Sequence, residues 1–314
     1  MREQPSMACF GPDTEWPYLF FRLSEDHAGL AAWLLDVPCP VIGLIEAGQT
    51  CPALEQACDV LVTSEGEAEV ITANIEAAPI AAMTLVQQLR LSEQLPAAQA
   101  LTAESLAYAT VQKGPEFSAW LTGFSSPEKV GIATPLKISK LENGGLELTF
   151  SNPHQHNVIT AELRDALCEA LELARLDPEI KEVFLSAQGR SFSIGGDLYE
   201  FGRVSDPATA HWIRSIRLPA RELVKLAKPL NVTVEGAAIG AGTEIAAFAG
   251  HLRASSKAWF QLPELKYGLI PGAGGTVSLT RKIGRHRTAY MALSMRKIRA
   301  RQAYEWGLVD QLLE

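Results

Sequence analysis

The chain has 314 residues, 47% of them hydrophobic and 20% charged, an ordinary globular composition with enough apolar material for a large core. A net charge of −8, with no basic patch interleaved with aromatics, argues against nucleic acid as a partner. The apolar runs are broken by Pro or a charge well short of the roughly 20 residues of a membrane span, and the N-terminus has no apolar signal core, so no membrane contact and a cytoplasmic location are expected.

The charge is unevenly placed. Residues 1–112 hold three basic side chains (Arg2, Arg22, Arg90) against fifteen acidic ones, net −12, which leaves +4 for the remainder. A basic cluster at Arg281, Lys282, Arg285, Arg287, Arg296, Lys297, Arg299 and Arg301 is either a site for a phosphorylated ligand or a solvated helix surface. Five cysteines without CxxC spacing point to free, buried thiols rather than a disulfide framework or a zinc site. The six scattered histidines give no metal-ligand pair, so no protein-bound metal is expected.

Along the chain, residues 112–135 are rich in Gly, Ser and Pro and read as a loop. A domain boundary is placed there, dividing 1–125 from 126–314. Beyond it, 136–139 and 146–150 alternate around Glu142-Asn143-Gly144-Gly145, which predicts a hairpin. Leu163, Ala166, Leu167, Ala170, Leu171 and Ala174 recur at helical spacing up to Asp177-Pro178. A buried strand over 182–186, a helix over 220–226, a strand over 229–234 and a helix over about 242–248 complete an α/β layered order.

Three glycine-rich loops punctuate this half: Gly189 to Asp197, Gly236 to Glu244, and Leu262 to Gly275. Small residues leave backbone N–H groups free to approach a ligand, and Glu244 and Glu264 stand beside two of these loops. Backbone donors with two carboxyls suit polarisation of a carbonyl while protons move next to it. A dinucleotide reading of Gly240-Ala241-Gly242 is weak, because Ile245 replaces the third glycine and the expected acidic residue falls in a Pro-Glu loop. Asp197 is expected to stabilise its own turn.

Together, Arg190 to Asp197, Ala238 to Glu244, Pro263-Glu264, Gly268 to Gly275 and Ala303 to Val309 resemble the crotonase (enoyl-CoA hydratase/isomerase) superfamily over residues 135–314. That resemblance implies a spiral of ββα turns binding an acyl-CoA thioester, with coenzyme A present as part of the substrate and no separate cofactor. It implies Gly196 and Ala241 as the backbone N–H donors to the thioester oxygen. Glu244 is expected to activate water and Glu264 to protonate the α-carbon, which makes hydration of a 2-enoyl-CoA the expected reaction. It also implies Ser193 and Ile194, through backbone groups, and His156 as coenzyme-binding residues, and a homo-oligomer, a trimer or hexamer. Other reactions of the same scaffold, namely isomerisation, hydrolysis and C–C cleavage, stay open, as does a non-catalytic assembly role. Trp259, Phe192 and Phe201 are candidate pocket aromatics.

Two departures from the family pattern are visible. The chain stops five residues after Val309, where relatives continue into a helical segment. Residues 1–125 resemble a degenerate copy of the later half, pairing 37–46 with 227–235, 57–64 with 249–256, and 101–108 with 298–305. With its oxyanion loop reduced to residues 47–52 and no Pro-Glu loop, that half is expected to be catalytically silent and to pack against the other.

Overall fold

A computed structural model describes residues 5–24, 29–46, 51–124, 135–204 and 206–314. In the first half, β1 (Leu19–Arg22), α1 (Ala31–Asp36), β2 (Val41–Leu44), α2 (Pro52–Ala57) and β3 (Val60–Val62) form a parallel sheet of order β1-β2-β3 with its crossover helices. Every residue of β2 is buried, the continuous apolar run expected of a central parallel strand. Four helices follow: α3 (Glu65–Ala77), α4 (Pro79–Gln94), α5 (Ala97–Val111) and α6 (Pro115–Gly123). The chain bends by 112° between α3 and α4, because Pro79 drives Ala78 out of the helical region, to φ −147° and ψ 63°. Among the described residues, no single helix is long and apolar enough to cross a membrane.

The second half opens with the expected hairpin, β4 (Leu136–Lys140) and β5 (Gly145–Phe150), then α7 (Ala161–Leu176). Three turns of strand, strand and helix follow. They are β6 (Glu182–Ala187), β7 (Ser191–Ser193), α8 (Pro207–Ile216) and α9 (Pro219–Lys225); β8 (Leu230–Val234), β9 (Ala237–Ile239) and α10 (Ala241–Ala246); and β10 (His251–Ser255), β11 (Trp259–Gln261), α11 (Gly275–Ile283) and α12 (Arg285–Ser294). The chain then runs through β12 (Ile298–Arg299), α13 (Ala300–Glu305) and β13 (Gln311–Leu313). The first strand of each turn joins a six-stranded sheet, β13-β10-β8-β6-β5-β4, and the second joins a four-stranded sheet, β12-β11-β9-β7. The short second strands have three residues each, too few to show an alternating pattern, and the sequence reading passed over them.

One apolar core runs through both halves, with Leu85, Leu89 and Phe117 of the first joined to Phe150, Phe192 and Phe260 of the second. Helices α4 and α5 pack on α11, α5 also on α8, and α3 on α12. The first half therefore packs on the second within one chain, as its unpartnered apolar patterns required.

The basic cluster serves this junction. Arg285 is 4% exposed and pairs with Asp59 at 3.2 Å and Glu93 at 3.0 Å, while Arg90 grips the other side of Asp59 at 2.6 Å. Arg281 donates to the Leu95 carbonyl, and Arg296 lies 3.9 Å from Glu67. Neither a phosphate site nor a wholly solvated face describes these side chains. Attraction between the unlike halves was legible in the charges, and Arg285 and Arg296 meet acidic residues of the first half, whereas Lys282 pairs with Asp310 and Arg301 with Glu305 inside the second.

Two further expectations are corrected. The stretch read as a loop contains α6, started by Pro115 after Gly114 and closing the aromatic stack Phe117–Trp120–Phe124. Residues 101–108 lie within the fifteen-residue α5, whereas 298–305 form a two-residue strand and a six-residue helix, so that pairing matches helix with helix over part of its length only. The other two pairings each match strand with strand. The domain boundary lies outside the described residues, as does most of the reduced loop at 47–52. Cys39, Cys51, Cys58 and Cys168 are buried free thiols, and Cys9 is exposed.

Candidate active site

Each loop that bears a candidate residue leaves the four-stranded sheet at its C-terminal end. After β7 the chain turns through Gly195, at φ 92°, where a Cβ would stand 2.9 Å from the Ile239 carbonyl oxygen and 3.7 Å from the Ala241 nitrogen. Only glycine permits that approach of the first loop to the second. Ile159 N donates to Gly195 O and Asp197 N to Ile159 O, which clamps the loop on either side of Gly196. Asp197 accepts from Tyr199 N at 3.0 Å, the local turn bond expected of it.

After β9 the chain turns at Gly240, φ 49°, where a Cβ would lie 2.6 Å from Glu264 Oε1. Ala241 is the first residue of α10, so its N–H has no intrahelical acceptor. Among the described residues, neither Gly196 N nor Ala241 N donates to another backbone group outside regular helices and strands. Both residues line one cavity of about 240 Å³, together with Glu244 and Glu264. A second cavity of about 230 Å³ adjoins it, lined by Ile194, Gly195, Ile239, Gly240 and Tyr267, and the two share Gly196, Phe201 and Glu264.

The two carboxyls are held differently. Glu244 Oε2 accepts from Ala273 N and Gly275 N, both at 2.7 Å, while Glu264 Oε2 is buried with no hydrogen-bond partner among the described residues. Burial pushes Glu264 up to about 8. It also raises Glu244 well above the carboxylate range, reinforced by the charges of Glu264 and Glu104 and opposed by the two peptide N–H groups. Carboxyls this close cannot all ionise together, and they titrate as a set.

The first half, expected to be catalytically silent, supplies side chains that hold and line the candidate site. Glu104 of α5 accepts from Gly274 N at 2.8 Å, Thr276 N at 3.0 Å and the Thr276 hydroxyl at 2.7 Å. The four successive N–H groups from Ala273 to Thr276 thus alternate between Glu244 and Glu104. Burial pushes Glu104 up to about 7, against the pull of these donors and of Arg214. One turn further along α5, Tyr108 lines the cavity beneath the Arg214 guanidinium, 4.6 Å from its ring centroid. A signal for both residues was present in the sequence. Glu104 and Tyr108 fall on the same helical stripe as Leu101 and Val111, and a charge on an apolar stripe calls for a buried partner.

The residues assigned to the coenzyme are more dispersed. Ile194 is 40% exposed, lines the second cavity and donates its N–H to the His156 carbonyl. Ser193 is fully buried, with its hydroxyl accepting from Gly195 N at 3.1 Å, and so braces the first loop. The His156 ring lies 3.4 Å from the Ser191 hydroxyl and borders neither cavity. Phe201 lines both cavities, Phe192 is wholly in the core, and Trp259 stacks under Lys297.

The family model described as enoyl-CoA hydratase/isomerase matches residues 140–314. The chain is 37% identical over 167 residues to 2,3-dehydroadipyl-CoA hydratase of Escherichia coli K12, covering 53% of this chain and 65% of that one. It is 34% identical over 183 residues to 1,2-epoxyphenylacetyl-CoA isomerase of the same organism, covering 56% and 69%. Among solved structures, an enoyl-CoA hydratase/isomerase from Pseudoalteromonas atlantica T6c superposes with a TM-score of 0.51 at 31% identity, covering 58% of this chain and 70% of that one. The chain thus spans about two thirds of these relatives, and the matched part is the half that carries the three glycine loops. The chain belongs to the enoyl-CoA hydratase/isomerase family, within the crotonase superfamily.

Proposed function

We propose that the protein adds water to a 2-enoyl-CoA to form a 3-hydroxyacyl-CoA. One observation carries this reading: two buried carboxyls and two backbone N–H donors face a single cavity. In this scheme Gly196 N and Ala241 N donate to the thioester oxygen and stabilise the enolate charge that develops on it. Glu244 orients the water at the β-carbon and takes its proton, and Glu264 delivers a proton to the α-carbon. The protonated state belongs to Glu264, since Glu264 Oε2 has no donor to hold a negative charge and Glu244 Oε2 has two. Coenzyme A enters as part of the substrate, with Ile194 on its side of the site. A trimer or hexamer is carried over from the family resemblance alone, and light scattering tests it.

Purified protein incubated with a series of 2-enoyl-CoA substrates should give a product heavier by one water, with loss of the conjugated enoyl absorbance. Glu244→Gln and Glu264→Gln should each slow that conversion at least about 100-fold, the scale of a lost general acid or base. A shifted double bond without a mass change would replace hydration by isomerisation, and conversion of no substrate would count against an enzymatic role.

A further inference from the structure

The cavity that holds both glutamates continues past them, and its far wall is polar and basic. Tyr108, Gln112, Arg164, Arg214, Arg217 and Glu200 all line it. Arg164 is paired with Asp165 at 2.8 Å and Arg217 with Glu169 at 3.5 Å. Glu200 accepts from Ala161 N at 2.9 Å. Arg214 differs from its neighbours: among the described residues it forms no ion pair, and its acceptors are the Ser105 hydroxyl, the Ser105 carbonyl and the Gln112 amide oxygen, at 3.0, 3.2 and 3.4 Å. Those three bonds and the Tyr108 ring fix the guanidinium in place, the buried Glu104 carboxyl attracts it without a hydrogen bond, and part of its donor set is unused.

The site's geometry says which part of a substrate reaches it. Gly196 and Glu264 border both cavities, whereas Ala241 and Glu244 border only this one. A thioester oxygen at the two N–H donors and a β-carbon facing Glu244 send the remainder of the acyl chain toward Tyr108 and Arg214. We infer that Arg214 selects an acyl group ending in a carboxylate, so that the preferred substrate class is an ω-carboxyacyl-CoA of short chain length. This rests on the acyl-CoA reading above. The planar guanidinium suits a terminal carboxylate, and among the described residues its hydrogen-bond acceptors are all neutral, so no carboxylate occupies its remaining donors.

Binding of saturated thioesters tests this without any turnover. Isothermal titration with an ω-carboxyacyl-CoA and the methyl-terminated acyl-CoA of equal chain length should show a preference for the former of roughly 10- to 100-fold, the range of a charge-assisted hydrogen bond. Arg214→Met should collapse that ratio toward one, and Arg214→Lys should restore part of it. The ratio in the unaltered protein is decisive even if a variant fails to fold. Equal affinity for the two thioesters in the unaltered protein overturns the inference, as does a preference that survives in folded Arg214→Met. An equal loss for both thioesters in Arg214→Met also overturns it, since it would place the guanidinium on the coenzyme phosphates. Hydration without a carboxylate preference would sink this inference alone, whereas a carboxylate preference without turnover would sink only the proposed reaction.

Discussion

The two halves of the chain reach the same active site by different routes. After residue 134, side chains and peptide groups come to the cavity from loops at the ends of one small sheet, so the glycines and the Pro-Glu pair that shape those loops can be read directly. Before residue 125, Tyr108 reaches the cavity and Glu104 the loop behind it, both from the middle of a helix whose main work is packing. The contrast shows that a half without such glycine loops can still order a loop of the candidate site in its neighbour. It does so through a buried carboxyl that competes for the same run of N–H groups as Glu244.

Removing the first half is the harshest way to break this comparison. Deleting residues 1–125 would strip α11 and α12 of the helices packed on them and leave Gly274 N and Thr276 N without Glu104. The remaining chain should be insoluble, or soluble and inactive in the hydration assay. A soluble fragment with full turnover would make the first half a mere appendage.

Next in size is the junction itself. Asp59 is 1% exposed and holds Arg90 and Arg285, so Asp59→Ala should lower unfolding free energy by about 3–5 kcal/mol, because it leaves the partly buried Arg90 without its ion-pair partner and the buried Arg285 with Glu93 alone. Urea denaturation measures this, and a cost below about 1 kcal/mol, the worth of an exposed pair, would show that the halves are held by apolar packing alone.

Glu104→Gln sharpens the comparison at the active site. An amide at this position turns an N–H₂ toward N–H groups that need an acceptor, so the 273–276 run should shift and misplace Glu244. Turnover should fall roughly 10- to 100-fold with KM changed much less, and the pH–rate profile should move, which a purely structural role would not produce. An unaltered profile in a folded variant would remove Glu104 from the site.

The smallest expected effect is on stability against pH. Glu104 and Glu264 have folded pKa values near 7 and 8, above their unfolded values, so the folded state binds more protons than the unfolded one. Their contribution is fully present below about pH 4.5 and is lost as pH rises through about 7 to 8. His211 and His286, whose pKa values burial lowers, act in the opposite sense below about pH 6.5. Glu264→Gln removes one member of the coupled set, and thermal unfolding should show the variant gaining relative stability over the unaltered protein from about pH 5 to about pH 8. A constant difference would mean that Glu264 titrates alike in both states.

Legibility followed the same divide. The hairpin around Asn143-Gly144, α7 with its Asp177-Pro178 stop, and the loops at Gly195 and Gly240 were all readable, because each depends on local chemistry that its own residues announce. The meeting of Glu244, Glu264, Gly196 and Ala241 in one cavity was readable through the family resemblance. The partners of Arg285 and the reach of Glu104 were not, since each bond spans more than 160 residues of sequence and no local pattern encodes its other end. The basic cluster shows the cost of that blindness: unlike charges in the two halves announced attraction, but only the fold says that Asp59 is the hub.

The order of the halves along the chain also sets an order in time. Helix α4 leaves the ribosome with Ala81, Ala82, Leu85, Val86 and Leu89 on one face and Gln88 among them, and Gln88 must wait for Thr276, 188 residues later, to complete its hydrogen bonds. At roughly 5–20 residues per second, synthesis leaves that face without its partner for on the order of ten to forty seconds. During that interval the face of α4 that will pack on α11 has no spiral to cover it. A carboxyl such as Glu104, solvated until its loop arrives, keeps the stripe around it from being uniformly apolar while it waits.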